Sequence, residues 1–245
     1  MRLAAIYDIH GNLPALEAVL DDLRTHGVDE VVVGGDVVPG PMPQGCLHAL
    51  AQTGMPVHFI HGNGEQDLLA VCRGETPERV AHPFLEMLRW VAGELCEESL
   101  AEIAGWPASW ERELPGLGLV RFWHATPRGD SEIFTSITPV ERLLPVLDGT
   151  GASVLVCGHT HMQFDRQVGG TRVVNAGSVG MPFGRPGAYW ALLDGEGISL
   201  RRTPYDLEAA EARIEESPYP FDFDVLEPPR ASEMLEHFEA AALGG

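Results

Sequence analysis

Seven side chains in this sequence are suited to holding metal ions, and each follows an apolar stretch of chain. They are Asp8 and His10 in DIHGN, Asp36 in GGD, Asn63 in HGN, His124 in WHA, and His159 and His161 in GHTH. Most lie beside glycine, which lets the backbone turn sharply and approach a ligand. Carboxylate, imidazole and amide oxygen form a mixed nitrogen–oxygen set, suited to manganese, iron or zinc rather than calcium. Alternate residues of an extended segment point the same way, so the pairs in DIH and HTH can each reach one cluster. Seven groups exceed the four ligands of a structural zinc site, yet they suffice for two ions if one carboxylate bridges. Two ions about 3.5–4 Å apart can clamp the attacking and leaving oxygens of a displacement at phosphorus. Taken singly, Asp8 or Asp36 reads as a loop cap and His124 as a packing histidine. The metal reading rests on the set.

The elements that must position these groups follow from the hydrophobic pattern. Residues 2–7 read as a buried strand ending at Asp8, and Asn12 can cap a helix with Leu13, Leu16, Val19, Leu20 and Leu23 at helical spacing. Gly27 closes that helix. Residues 31–33 form a second strand ending in GGD, and Pro39, Pro41 and Pro43 make a rigid loop before a helix near 44–53. A third strand, 57–60, leads into HGNGE and a helix near 65–72. Strands alternating with helices indicate βαβ units and a mostly parallel sheet, which binds ligands at the C-terminal ends of its strands. Asp8, Asp36 and Asn63 fall at such ends.

Residues 77–105 read as an amphipathic helical pair with Phe84, Leu85, Leu88, Val91 and Leu95 on one side. After Pro107 come short strands at 109–114, 117–124, 152–157, 163–168, 171–175, 187–194 and 197–202, with a hairpin turn at Gly169-Gly170. Acidic helices at 206–216 and 231–242 follow, joined by the irregular segment SPYPFDFDVLEPPR.

With 245 residues, the chain can form one large α/β domain that buries roughly 70–75% of its unfolded surface. A net charge of −20 argues against a nucleic-acid polymer or an anionic membrane as partner. Bound divalent cations could reverse that field locally for an anionic substrate. The apolar runs are too short to cross a bilayer, and Met1-Arg2 leads straight into a strand without a signal region, so the expected location is cytoplasmic. Four scattered cysteines (Cys46, Cys72, Cys96, Cys157) lack metal-site spacing, and no disulfide is expected.

In order, DxH, GD, GN, a lone His and GHxH resemble the motif series of the calcineurin-like metallophosphoesterases, over Met1 to about Tyr205. DIHGNLPALEAVL at 8–20, HATPRGD at 124–130 and NAGSVGMP at 175–182 resemble the small bacterial and archaeal branch of phosphodiesterases and diadenosine-polyphosphate hydrolases. The resemblance implies an α+β fold, a four-layer α/β/β/α sandwich of two mixed sheets. Residues 1–205 would form the catalytic domain, and 206–245 an acidic helical extension packed on it. It also implies two divalent ions, manganese first, with iron, zinc or nickel as alternatives. Asp8, His10 and His161 would hold one ion, Asn63, His124 and His159 the other, and Asp36 would bridge.

A hydroxide held between the ions would attack phosphorus, with Asp36, Asn63 and His124 as the catalytic ligands, and Asn12 and Arg128 would contact phosphate. NAGSVG is expected to be a tight turn supporting the ligand loops. The substrate would be a small phosphorylated molecule, and a homodimer is left open.

One position departs from the family. Many members carry a histidine after the GN asparagine, proposed to protonate the leaving oxygen; here Gly64 follows Asn63, with Glu65 next. A missing general acid costs about 10²–10⁴-fold on a poor leaving group and little on a stable one. Phosphodiesters or phosphoanhydrides of nucleotide-like molecules are therefore expected first. His61 could substitute as acid. A phosphomonoesterase and a non-catalytic scaffold on the same fold are the alternatives. If the missing acid alone sets selectivity, a histidine at position 64 should raise monoesterase activity.

Overall fold

The structure, a computed structural model, describes residues 1–77 and 80–244. Residues 78 and 79 of the predicted helical pair, and residue 245 of the predicted extension, lie outside them.

In the N-terminal half, β1 (Leu3–Ile6), α1 (Leu13–Thr25), β2 (Glu30–Val33), α2 (Pro43–Ala51), β3 (Val57–Phe59) and α3 (Asn63–Cys72) alternate. The pairs β1–β2 and β2–β3 are parallel. The helical pair follows as α4 (His82–Glu94) and α5 (Glu97–Ala104). Then come β4 (Ser109–Leu114), β5 (Gly118–Trp123), α6 (Val140–Leu147), β6 (Val154–Cys157), β7 (Phe164–Val168), β8 (Thr171–Asn175), β9 (Ala188–Asp194) and β10 (Gly197–Thr203). The last elements are α7 (Leu207–Glu215) and α8 (Ala231–Ala240).

Two mixed five-stranded sheets result, ordered β10-β9-β1-β2-β3 and β4-β5-β6-β8-β7. The alternation of a pleated strand sorts their side chains into separate cores. From the first sheet, Leu3, Ala5, Tyr7 and Val32 point inward and meet Val120, Phe122, Val154 and Val174 of the second. Ala4, Ile6, Val31 and Val33 point outward onto the α1 residues Leu16, Val19 and Leu23. On the far side, Leu155, Cys157 and Val173 pack against Leu143 of α6. The order is therefore helices, sheet, sheet, helix: the predicted four-layer α+β sandwich.

Helix α6 had no counterpart in the sequence reading; proline is disfavoured inside a helix. Pro139 is the N-cap and Pro145 lies inside the helix. Phe84 was expected on the packed face of the helical pair, but it is 62% exposed. All four cysteines are free. No helix among the described residues is long and apolar enough to cross a membrane.

Beyond β10 the chain returns to the body of the protein. Arg213 of α7 pairs with Glu17 of α1, and Ala210, Ile214 and Val225 form a small core with Met42, Tyr205 and Phe223. From α8, Glu239 accepts hydrogen bonds from Thr135 and Thr138.

Candidate active site

Loops leaving strand ends of both sheets converge on one cluster. Five of its residues, Asp8, His10, Asp36, His159 and His161, adopt left-handed backbone conformations, with φ from 48° to 67°. Such angles are uncommon for residues with a side chain. Surrounding bonds hold them. Asp8 N–H donates to Gly35 O at 3.1 Å, and His10 N–H donates to Asp36 O at 2.9 Å. The NAGSVG turn supports the same loops, since Ser178 Oγ donates to Asp8 O at 2.7 Å and Gly180 N–H donates to it at 3.0 Å.

Three imidazoles have the nitrogen away from the cluster set against a carbonyl. His10 Nδ1 lies 3.2 Å from Pro39 O, His124 Nδ1 2.8 Å from Gly34 O, and His161 Nδ1 2.7 Å from Met181 O. A carbonyl only accepts, so these contacts put the proton on Nδ1 and leave the Nε2 lone pair facing inward. His10 Nε2 and His161 Nε2 are 3.1 Å apart, a contact between two acceptors that a shared cation resolves.

Asp8 Oδ1 lies 3.4 Å from His161 Nε2, 4.0 Å from His10 Nε2 and 3.8 Å from His124 Nε2. Asp36 faces both ways: Oδ2 is 3.8 Å from His10 Nε2, and Oδ1 is 3.7 Å from His124 Nε2. On the second side, Asn63 Oδ1 is 3.1 Å from His124 Nε2, and the His124 and His159 ring centroids are 5.2 Å apart. Asp8 with His10 and His161, and Asp8 with Asp36 and His124, form two groups whose donor atoms lie within 4.8 Å of one another.

Two buried polar atoms of the cluster, Asp8 Oδ1 and His159 Nε2, have no hydrogen-bond partner among the described residues. An unpartnered buried acceptor is costly, and a cation satisfies it. The donor set of carboxylate, imidazole and amide oxygen thus fits divalent ions.

Burial alone would raise the Asp8 carboxyl, but His161, His124 and His10 outweigh it and hold Asp8 well below the usual carboxylate range. Burial disfavours charge on every imidazole of the cluster. For His124 and His161 the nearby aspartates overcome it and raise the pKa. His10 is lowered by burial and by His161. Burial and His124 bring His159 down to about 4.

Glu65 is an acidic residue in the first turn of α3, where it favours the helix terminus. The structure gives it more to do. Fully buried, it accepts from Gly62 N–H and Asp36 N–H at 2.8 Å each, Val37 N–H at 2.7 Å and Val38 N–H at 3.3 Å. It thereby ties the Asp36 loop to the start of α3. Burial and the adjacent Asp36 push its pKa up to about 7. A glutamate three residues into a helix, reaching back to the N-cap backbone, is the half of a capping box that could have signalled this.

Gly64 donates its N–H to Asp36 Oδ1 at 2.7 Å. A Cβ there would lie 2.5 Å from Pro39 Cγ and 2.9 Å from Asp36 Oδ1. A side chain at position 64 would therefore need Pro39 or Asp36 to shift. His61 does not line the cleft, and its Nδ1 lies 3.8 Å from Asp130 Oδ2.

The two predicted phosphate contacts are placed elsewhere. Asn12 is fully buried; it accepts from Ala15 N–H at 3.1 Å as the α1 cap and donates to Gly180 O at 2.9 Å. Arg128 is exposed and paired with Glu132. Neither lines the cleft of about 920 Å³ that opens onto His10, Asp36, Asn63, His159 and His161.

The calcineurin-like phosphoesterase superfamily domain matches residues 1–197. The chain belongs to this superfamily. Phosphodiesterase YfcE of Escherichia coli is 28% identical to it over 202 residues, covering 82% of this chain and 91% of that one. An uncharacterized protein of Methanocaldococcus jannaschii is 26% identical over 235 residues, covering 86% and 91%. Among solved structures, a metallophosphoesterase from Sphaerobacter thermophilus superposes with a TM-score of 0.68 at 25% identity, covering 88% of this chain and 93% of that one. A hypothetical protein from Pyrococcus horikoshii shares the fold, with a TM-score of 0.76, 20% identity and coverage of 100% and 98%. Membership in a metal-dependent phosphoesterase superfamily, with relatives named phosphodiesterase, supports a hydrolase.

Proposed function

We propose that this phosphoesterase hydrolyses phosphodiester or phosphoanhydride bonds of small nucleotide-like molecules, with two divalent ions, manganese first. The observation that carries the reading is Asp36, whose Oδ2 faces His10 and whose Oδ1 faces His124. Asp8, His10 and His161 would hold one ion, and Asn63, His124 and His159 the other. Bound there, the ions supply positive charge to the phosphoryl oxygens and to an attacking water.

This chain's own residues do the rest. Backbone carbonyls orient His10, His124 and His161. Gly64 N–H and Glu65 fix Asp36 and its loop. Gly64 offers no acid, and a Cβ there would lie 2.5 Å from Pro39 Cγ. The reading therefore favours substrates whose leaving group departs without protonation.

A manganese-loaded assay across a bis-aryl phosphate, an aryl monophosphate, cyclic nucleotides and dinucleoside polyphosphates tests it. Turnover of diesters or anhydrides above the monoester is the expected result. Preference for the monoester would favour a phosphomonoesterase, and no turnover with metal bound would favour a scaffold.

A further inference from the structure

The cleft has a metal-facing end and an apolar end, and the apolar end is built from two distant parts of the chain. One wall comes from α4 and the residues just before it, including Pro83, Phe84 and Met87; the other comes from Tyr219, Phe221 and Phe223 of the extension. Ring contacts fix the second wall. Tyr219 meets Trp90 edge-on at 5.0 Å and Phe221 at 5.4 Å, and just beyond the rings Val225 is buried in the small core under α7. Phe84, which lines the cleft, is 62% exposed. Met181 joins the two ends, since it lines the cleft while its carbonyl orients His161. The one charged side chain of the aromatic wall, Asp222, is an exposed carboxylate.

We propose that this aromatic end is a substituent subsite, taking an uncharged planar group, aryl or nucleobase-like, attached to the phosphoryl group at the ligand cluster. The inference rests on the phosphodiester reading for the cluster itself. Its chemistry is stacking between flat π-faces, which tolerates many rings but rejects small alkyl and anionic substituents. Phe221 and Phe84 are specificity-determining in this scheme. No tryptophan is among the described residues that line the cleft.

Two monoanionic diester analogues test the subsite without turnover: methyl phenylphosphonate and methyl methylphosphonate, titrated calorimetrically into manganese-loaded protein. The phenyl compound should bind roughly tenfold tighter, the scale of one stacked ring. That ratio should fall toward one in Phe221→Ala, in Phe84→Ala or in both; Phe84 is exposed enough for its variant to fold. Equal affinities in the parent protein, or a ratio unchanged in both variants, overturns the proposal, as does failure of the loaded protein to bind either compound. Phosphodiester turnover measured on the same samples keeps the two readings apart. Its absence alongside a Phe221-dependent phenyl preference refutes only the hydrolytic reading.

Discussion

Pro39 Cγ stands where a side chain on Gly64 would begin: a Cβ built on the glycine lies 2.5 Å from it. Alanine in the first turn of a helix ordinarily stabilises it over glycine by up to about 1 kcal/mol. Here Gly64→Ala should instead lower stability by about 1–3 kcal/mol, the usual cost of overpacking. It should also slow diester hydrolysis, because Asp36 Oδ1 is only 2.9 Å from the same point. Thermal unfolding and steady-state kinetics check both. Gly64→His alone should gain no monoesterase activity. Adding Pro39→Ala should recover at least part of the lost stability.

Replacing Asp36 by Asn removes one of the two oxygens that face His10 and His124. Diesterase activity should fall at least about 100-fold, the scale of losing a key electrostatic group. Metal analysis of the purified variant should show fewer ions per chain than the parent. Full occupancy with full activity would refute the bridging role.

Metal affinity should rise with pH. The aspartates hold His124 and His161 above the ordinary histidine value. In the metal-free protein, the stability these two contribute is fully present below the unfolded pKa of about 6.5 and is lost as pH rises through their folded values. A metal ion needs both rings neutral, so binding releases whatever protons they hold. Calorimetry in buffers of different ionisation enthalpy measures that release. Binding constants should increase from pH 6 to pH 8.

Glu65→Gln keeps the shape but turns one acceptor into a donor facing backbone N–H groups. Leaving a buried donor unsatisfied costs about 1–3 kcal/mol. The Asp36 loop should loosen, and metal affinity should drop about tenfold or more, as for other residues that orient ligands. Unfolding midpoints and metal titration report the two effects separately.

The parts of this structure legible from sequence are those governed by local pattern. Apolar runs located β1, β2 and β6 because each is buried on both faces, and residues at their ends marked where the ligand cluster forms. The value of Glu65 was not legible because it lies in three backbone contacts to the Asp36 loop and one to Gly62, a tertiary fact. Asn12 was overread: a buried cap and a phosphate contact look alike until the cleft is located. The aromatic wall at 219–223 was missed because an irregular, proline-rich segment has no period. Its rings gain a role only from α4, far away in sequence.

The left-handed angles of Asp8, His10, Asp36, His159 and His161 have an evolutionary consequence. Each such residue carries strain on the order of 1–3 kcal/mol that the fold must override. Glycine at any of them would relieve strain and remove a ligand in one step. Mutational drift toward stability and drift toward inactivity therefore run in the same direction, and only selection for chemistry opposes both. In a lineage freed from that selection, these five positions should be among the first to change.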